Sequence, residues 1–148
     1  MKSIKTPEDY QEFIQNKQPK QTILKNCIHA FIAGGTICVF GQLIKDAYLN
    51  LFGLEEIVAG GLQSMTLIFL GAFLTTLGIY DEIGKWAGAG SMIPITGFAN
   101  SVVAPAIEYK KEGYILGVGS KIFSLAGPVL VYGTISSIIV GLLYYFMK

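Results

Sequence analysis

Apolar residues in this chain gather into three long runs, at about residues 25–44, 62–80 and 122–147, with polar residues between them. Each run is close to or above the roughly 20 residues a helix needs to cross about 30 Å of hydrocarbon. A fourth run, Trp86 to Ile107, carries no charged side chain over 22 positions but has a different texture. It holds Gly88, Gly90, Gly97, Pro94 and Pro105, with Ser91, Thr96, Asn100 and Ser101 among them. Glycine adds backbone entropy and proline deletes a hydrogen bond, so this composition suits a plain spanning helix poorly. At membrane depth, irregular backbone survives only where it is buried in protein or lines a watery cavity. The segment is therefore expected to be broken or re-entrant, the type of element on which channels and transporters place filter and binding groups. The plainer alternative is a kinked packing helix whose glycines simply admit close neighbours.

The spanning runs carry their own punctuation. Gly34 and Gly41 lie seven apart, as do Gly71 and Gly78, which predicts glycine faces that let another helix approach closely. Gln42 shares the first of these faces. The last run is too long for a straight crossing and contains Gly127-Pro128, so it is expected to tilt, kink at Pro128 or split. Gly117 and the Gly127-Pro128 pair are candidate hinges. Before the first run, residues 1–24 form a polar segment. In it, Thr6-Pro7-Glu8-Asp9 opens a helix, and Tyr10, Phe13 and Ile14 fall on one face. A short amphipathic helix on the membrane surface or on a partner is expected there, with a solvated tail as the alternative. This polar, lysine-bearing start does not have the pattern of a cleavable signal. Residues 25–148 then form a single transmembrane domain.

Lysines set the orientation. Lys2, Lys5, Lys17, Lys20 and Lys25 precede the first span, whereas the 45–61 loop has one lysine against Asp46, Glu55 and Glu56. The positive-inside bias places the N-terminus in the cytoplasm and that loop outside. Lys85 follows the second span and returns inside. Lys110, Lys111 and Lys121 join it there only if residues 86–107 dip into the membrane and come back. The expectation is an all-α integral membrane protein with three spans plus a broken segment; four full spans, with those lysines outside, is the alternative.

Composition agrees and narrows the chemistry. Of 148 residues, 52% are hydrophobic and 14% charged, and the mean hydropathy is +0.53. Charged residues make up about 25% of an ordinary soluble domain, so a membrane protein is indicated. The net charge of +1 gives no global field for nucleic acid. All 11 basic residues are lysine, so bidentate guanidinium recognition of carboxylates is absent. Cys27 and Cys38 are 11 apart, about 16 Å along a helix, and cannot pair within it. They read as packing residues. His29 has no neighbouring carboxylate and reads as interfacial, with a proton-relay role as the weaker option. The sequence has no metal-ligand spacing, phosphate loop or nucleophile–base pair, so neither an enzyme nor a bound cofactor is expected.

Two stretches resemble a known family: KNCIHAFIAGGTICVFGQLI (Lys25 to Ile44), and the region from Leu77 to Gly133 containing AGAGSMIPITGFANS. Over residues 18–148 the chain is similar to the SpoVAC/SpoVAEB family, and the extension ending in Gln18-Pro19-Lys20 is more like its longer AC-type members. The resemblance implies a protein of the inner forespore or spore membrane. It also implies work with other SpoVA membrane and soluble subunits in moving dipicolinic acid, with calcium, during sporulation and germination, and likeness to the AC-type members implies a tension-gated channel.

For a dianion of that kind, a broken helix supplies free N–H groups and a positive dipole end without a buried arginine. The expected arrangement has Gly88, Gly90 and Ser91 in a turn facing the pathway, and Pro94, Thr96 and Gly97 at the reversal. Asn100 and Ser101 would open the returning half-helix. Asp81, Lys85, Glu108, Lys110, Lys111 and Lys121 would stand at the mouth. Asp81 and Lys85 form a helical i,i+4 pair. Glu108 either pairs with Lys85 or Lys111, or it meets calcium or sets gating. Three or four helices are too few to enclose such a pathway, so a homo- or hetero-oligomer is expected. A scaffold subunit and an ion-coupled carrier are the rival readings.

Overall fold

A computed structural model describes Tyr10 and residues 22–147, and among these residues every regular element is helical. Apart from Tyr10, the expected amphipathic helix lies outside the described residues. Helix α1 runs Ile23–Phe52, α2 Glu56–Thr76, α3 Ile79–Ala87, α4 Ala89–Met92 and α5 Ile95–Glu108. A 3₁₀ turn (Tyr109–Glu112) and a π turn (Tyr114–Gly119) lead into α6, Ser120–Met147. Three helical stretches are long and apolar enough to cross a membrane: Ile23–Phe52, Glu56–Thr76 and Tyr114–Met147. At 14 residues α5 is about 21 Å long, short of the hydrocarbon thickness. The protein is an all-α membrane protein with three helical stretches that could span, and α5 is too short to be a fourth of that length.

Contacts fix the direction of the middle segment. Trp86 stacks on His29 with ring centroids 4.8 Å apart, and Gly90 lies against Ala30 and Gly34. The chain from α3 to α4 therefore advances along α1 toward its C-terminal end. Gly71 of α2 lies against Thr96 and Ala99, and Thr75, one turn on, reaches Asn100. So α5 runs beside α2 in the same direction, back toward the end at which α3 began. Gly34 lies 11 residues, or about 16 Å, along α1, so the loop reaches roughly half the depth of a hydrocarbon core. Helix α6 turns antiparallel to α5, with Lys121 Nζ 4.7 Å from the centre of the Tyr109 ring.

The core follows the small residues. Ala33, Ala59, Leu67, Tyr80, Ala87, Ala99 and Ala126 are its buried apolar members. Alanine and glycine bring helix backbones close, which is how helices hold together without a hydrophobic drive from water. In contrast, Ala126 is the one buried residue of α6, and every residue from Pro128 to Met147 is exposed.

Several expected boundaries shift. The first long helix begins at Ile23 and continues to Phe52, with Lys45 and Asp46 kept in helix by bonding Glu56 and Gln42. The second ends at Thr76 rather than Tyr80. Gly78 there has φ of 73°, a left-handed conformation that suits glycine and ends one helix while opening the next. It therefore does not share a helix face with Gly71. Gln42 is exposed and donates to Asp46 Oδ1 at 2.8 Å, so it packs against no neighbouring helix. Helix α6 continues through Pro128, since proline removes one hydrogen bond but keeps a helical φ. Its irregularity falls earlier, in the π turn around Gly117, where a Cβ would press on the Tyr109 carbonyl and on Glu112. Gly127, by contrast, has open space around it.

Candidate functional site: the broken segment and its cavity

Short-range features set the helical pieces and the breaks between α2 and α5. Helix α3 carries Asp81 and Glu82 in its first turn and Lys85 in its last, the charge order its dipole favours. Gly88, with φ 53° and ψ −128°, turns the chain by an angle few other residues adopt. Pro94, extended at ψ 163°, then caps α5 and cannot carry the preceding turn onward.

Close backbone contacts pin the segment in place. A Cβ on Gly90 would overlap the Ala30 backbone, and one on Gly97 would overlap the Ser91 and Met92 carbonyls. On Gly71 it would stand 2.9 Å from the Thr96 carbonyl oxygen. Polar bonds add specificity. The buried Tyr80 hydroxyl donates to the Ser91 carbonyl at 2.7 Å and lies 2.9 Å from Thr96 Oγ1. Thr75 Oγ1 shares its proton between the Gly71 carbonyl at 2.7 Å and Asn100 Oδ1 at 2.9 Å.

Beside this knot lies a cavity of about 580 Å³, within the range of small-molecule sites. Tyr80, Asp81, Gly84 and Lys85 form one side; Ser91, Met92, Ile93, Gly97, Phe98, Asn100 and Ser101 form the floor and far side. Leu125 and Val129 of α6 line it as well. A second cleft of about 420 Å³, lined by Asn26, Cys27, Lys85, Trp86 and Gly88 among others, opens between α3 and the start of α1. Lys85 borders both. Its ammonium is 2.7 Å from Glu82 and 3.0 Å from Asp81, and these hydrogen bonds, Glu82's first, raise its pKa above the usual value.

The expected site residues divide. Ser91, Gly97, Asn100 and Ser101 meet at the cavity with Asp81 and Lys85, whereas Gly90, Pro94 and Thr96 serve its packing. Ser91 does not face a pathway with its hydroxyl: it is fully buried and its Oγ donates to the Gly88 carbonyl at 3.1 Å. Nor do Asn100 and Ser101 open the returning helix. Helix α5 starts at Ile95, directly after its proline cap, and the Ser101 hydroxyl donates to Phe98 O at 2.7 Å. Glu108 forms no salt bridge with Lys85 or Lys111; it is exposed, as are Lys110 and Lys111. Lys121 is held by Tyr109. Gly34 and Gly41 do face helices, the first meeting Gly90 and the second Gln63 and Leu67.

Tyr80, Thr75 and the His29–Trp86 stack are the residues sequence reasoning missed. Tyr80 had a signal in retrospect: on the short amphipathic helix it shares a face with Ile83, Gly84 and Ala87, opposite Asp81, Glu82 and Lys85.

Comparison with known proteins agrees with the earlier resemblance. The model of the SpoVAC/SpoVAEB sporulation membrane protein family matches residues 26–143. Stage V sporulation protein AC of Bacillus subtilis (strain 168) is 46% identical over 138 residues, covering 93% of this chain and 92% of that protein. No solved structure matches the chain. With so much of its length matched by a single family, the chain belongs to the SpoVAC/SpoVAEB sporulation membrane proteins.

Proposed function

We propose that the chain is a channel subunit through which dipicolinic acid, with calcium, crosses the inner forespore or spore membrane in sporulation and germination, its N-terminus in the cytoplasm. The observation that carries the reading is the cavity at the helix break, where an ion-paired lysine, Asn100, Ser101 and the opening turn of α5 converge. Moving a dicarboxylate through hydrocarbon requires dipoles or positive charge in place of water. The Asn100 side chain, whose oxygen is taken by Thr75, keeps its N–H donors for a solute, and Lys85 offers a charge at the mouth. Glu108, Lys110 and Lys111 then gather and sort ions at the surface. Tension acts on the turn around Gly117, through which α6, a wall of the cavity, joins the rest.

One subunit leaves this cavity open, so the pathway is completed by further copies or by other SpoVA membrane subunits, with a soluble subunit docked outside the bilayer. The exposed length of α6 favours such assembly and also supports the rival reading of a scaffold subunit. Flux of dipicolinate from liposomes holding the purified chain, alone and with partner subunits, tests the proposal. Conductance that rises with tension supports a channel, and saturable uptake driven by an ion gradient would replace it with a carrier. Absence of flux in every combination leaves the scaffold.

A further inference from the structure

We infer that Tyr80 is a positioning residue that makes the cavity favour anions, by giving its proton to the Ser91 carbonyl, which would otherwise stand bare beside it. The inference deepens the transport reading and rests on its assignment of the cavity as the solute site. Ser91 lies in α4, a single turn of four residues. A backbone donor one helical turn on would come from Ile95, but Pro94 breaks the chain there and Ile95 opens a new helix. The Ser91 carbonyl takes its proton instead from the Tyr80 hydroxyl, 2.7 Å away. Tyr80 is 4% exposed, and its hydroxyl proton has a second acceptor in Thr96 Oγ1 at 2.9 Å, the longer of the two bonds. Both Tyr80 and Ser91 border the cavity.

Sign decides what this arrangement does. A bare carbonyl oxygen is a ligand for a hard cation and repels a carboxylate. Occupying it with a phenol proton removes that bias and leaves the donors of Asn100 and the charge of Lys85 to set the local potential. Tyr80→Phe keeps the ring and its burial, deletes one proton, and frees the carbonyl. A purely structural role would weaken every ligand together; the positioning role moves an anion and a cation in opposite directions.

The test uses the full chain in nanodiscs, titrated calorimetrically with sodium dipicolinate and, separately, with calcium chloride. Tyr80→Phe is expected to bind dipicolinate about tenfold more weakly than wild type and calcium several-fold more tightly. Thr76→Val, at a hydroxyl that bonds the Ala72 carbonyl and does not border the cavity, is expected to stay within about twofold of wild type for both. Any other pattern for Tyr80→Phe overturns the inference, including loss of both ligands together, as does a Thr76→Val change equal to that of Tyr80→Phe. Wild-type chain that binds no dipicolinate overturns it as well. Wild type that binds dipicolinate with the expected Tyr80→Phe pattern, yet supports no flux in liposomes, sinks the transport reading and leaves this one standing.

Discussion

Gly90 and Ala30 meet backbone to backbone, with no room between them for a single methyl group. The contact fixes how far the broken segment climbs along α1. Gly90→Ala is therefore expected to destabilise the protein by at least about 1–3 kcal/mol, as overpacking does, because backbone atoms rather than a flexible side chain must yield. Gly35→Ala is the matched control, since a Cβ there meets open space in the middle of a helix. It is expected to be neutral or to stabilise by up to about 1 kcal/mol. Thermal unfolding in detergent checks both; equal melting temperatures for the two variants would mean that the contact is not tight.

What the sequence made legible was decided by physics that acts locally. Charge-free runs marked the three spans, and the glycines and prolines of 86–107 marked a break, because each alters the backbone wherever it sits. Helix ends were less legible. Lys45 and Asp46 looked like a loop, but they bond to Glu56 and Gln42, partners that folding or one helical turn brings near. The site itself was half visible. Asn100 and Ser101 stood out as polar residues in an apolar run, whereas Tyr80 passed for part of a span. Its partners Ser91 and Thr96 lie 11 and 16 residues away and become neighbours only when the chain doubles back.

Asn100 is half-buried, reaches Thr75 and borders the cavity. Replacement by leucine keeps a similar volume and leaves Thr75 bonded to the Gly71 carbonyl, so the cost to folding is about 1 kcal/mol. If the cavity is the solute site, loss of this amide matters more to passage than to stability. Spores carrying Asn100→Leu are expected to accumulate several-fold less dipicolinate, with the protein inserted at normal levels. Normal accumulation alongside normal insertion would remove Asn100 from the pathway.

Lys85 gives a prediction with a defined sign. Its folded-state pKa is raised above 10.5 by Glu82 and Asp81. Stability from a raised lysine is fully present below the unfolded value and is lost as pH climbs through the folded one. The melting difference between wild type and Lys85→Gln is therefore expected to be flat from about pH 6 to about pH 9 and to shrink only on the alkaline side. All three groups are exposed, so added salt should shrink it as well. A difference that grows between neutral pH and about pH 9 would show that some other titrating group is in play.

The parallel course of α2 and α5 makes the sharpest claim about topology. Thr96 and Ala99 lie beside Gly71, and Asn100 reaches Thr75, so α5 leaves the membrane at the end where α2 does. A helix that crossed fully would carry Lys111 to the side of the α1–α2 loop; one that returns keeps it with Lys85. Single-cysteine variants distinguish these once Cys27 and Cys38 are replaced, as both native thiols are exposed and free. Lys111→Cys and Lys85→Cys are expected to react with an impermeant maleimide from the same side of sealed vesicles. Leu54→Cys, in the α1–α2 loop, is expected to react from the opposite one. Labelling of Lys111→Cys together with Leu54→Cys would require α5 to span. A 14-residue helix would then have to thin the bilayer or recruit the turns that follow it, and the cavity beside Asn100 would no longer sit at a dead-ended loop.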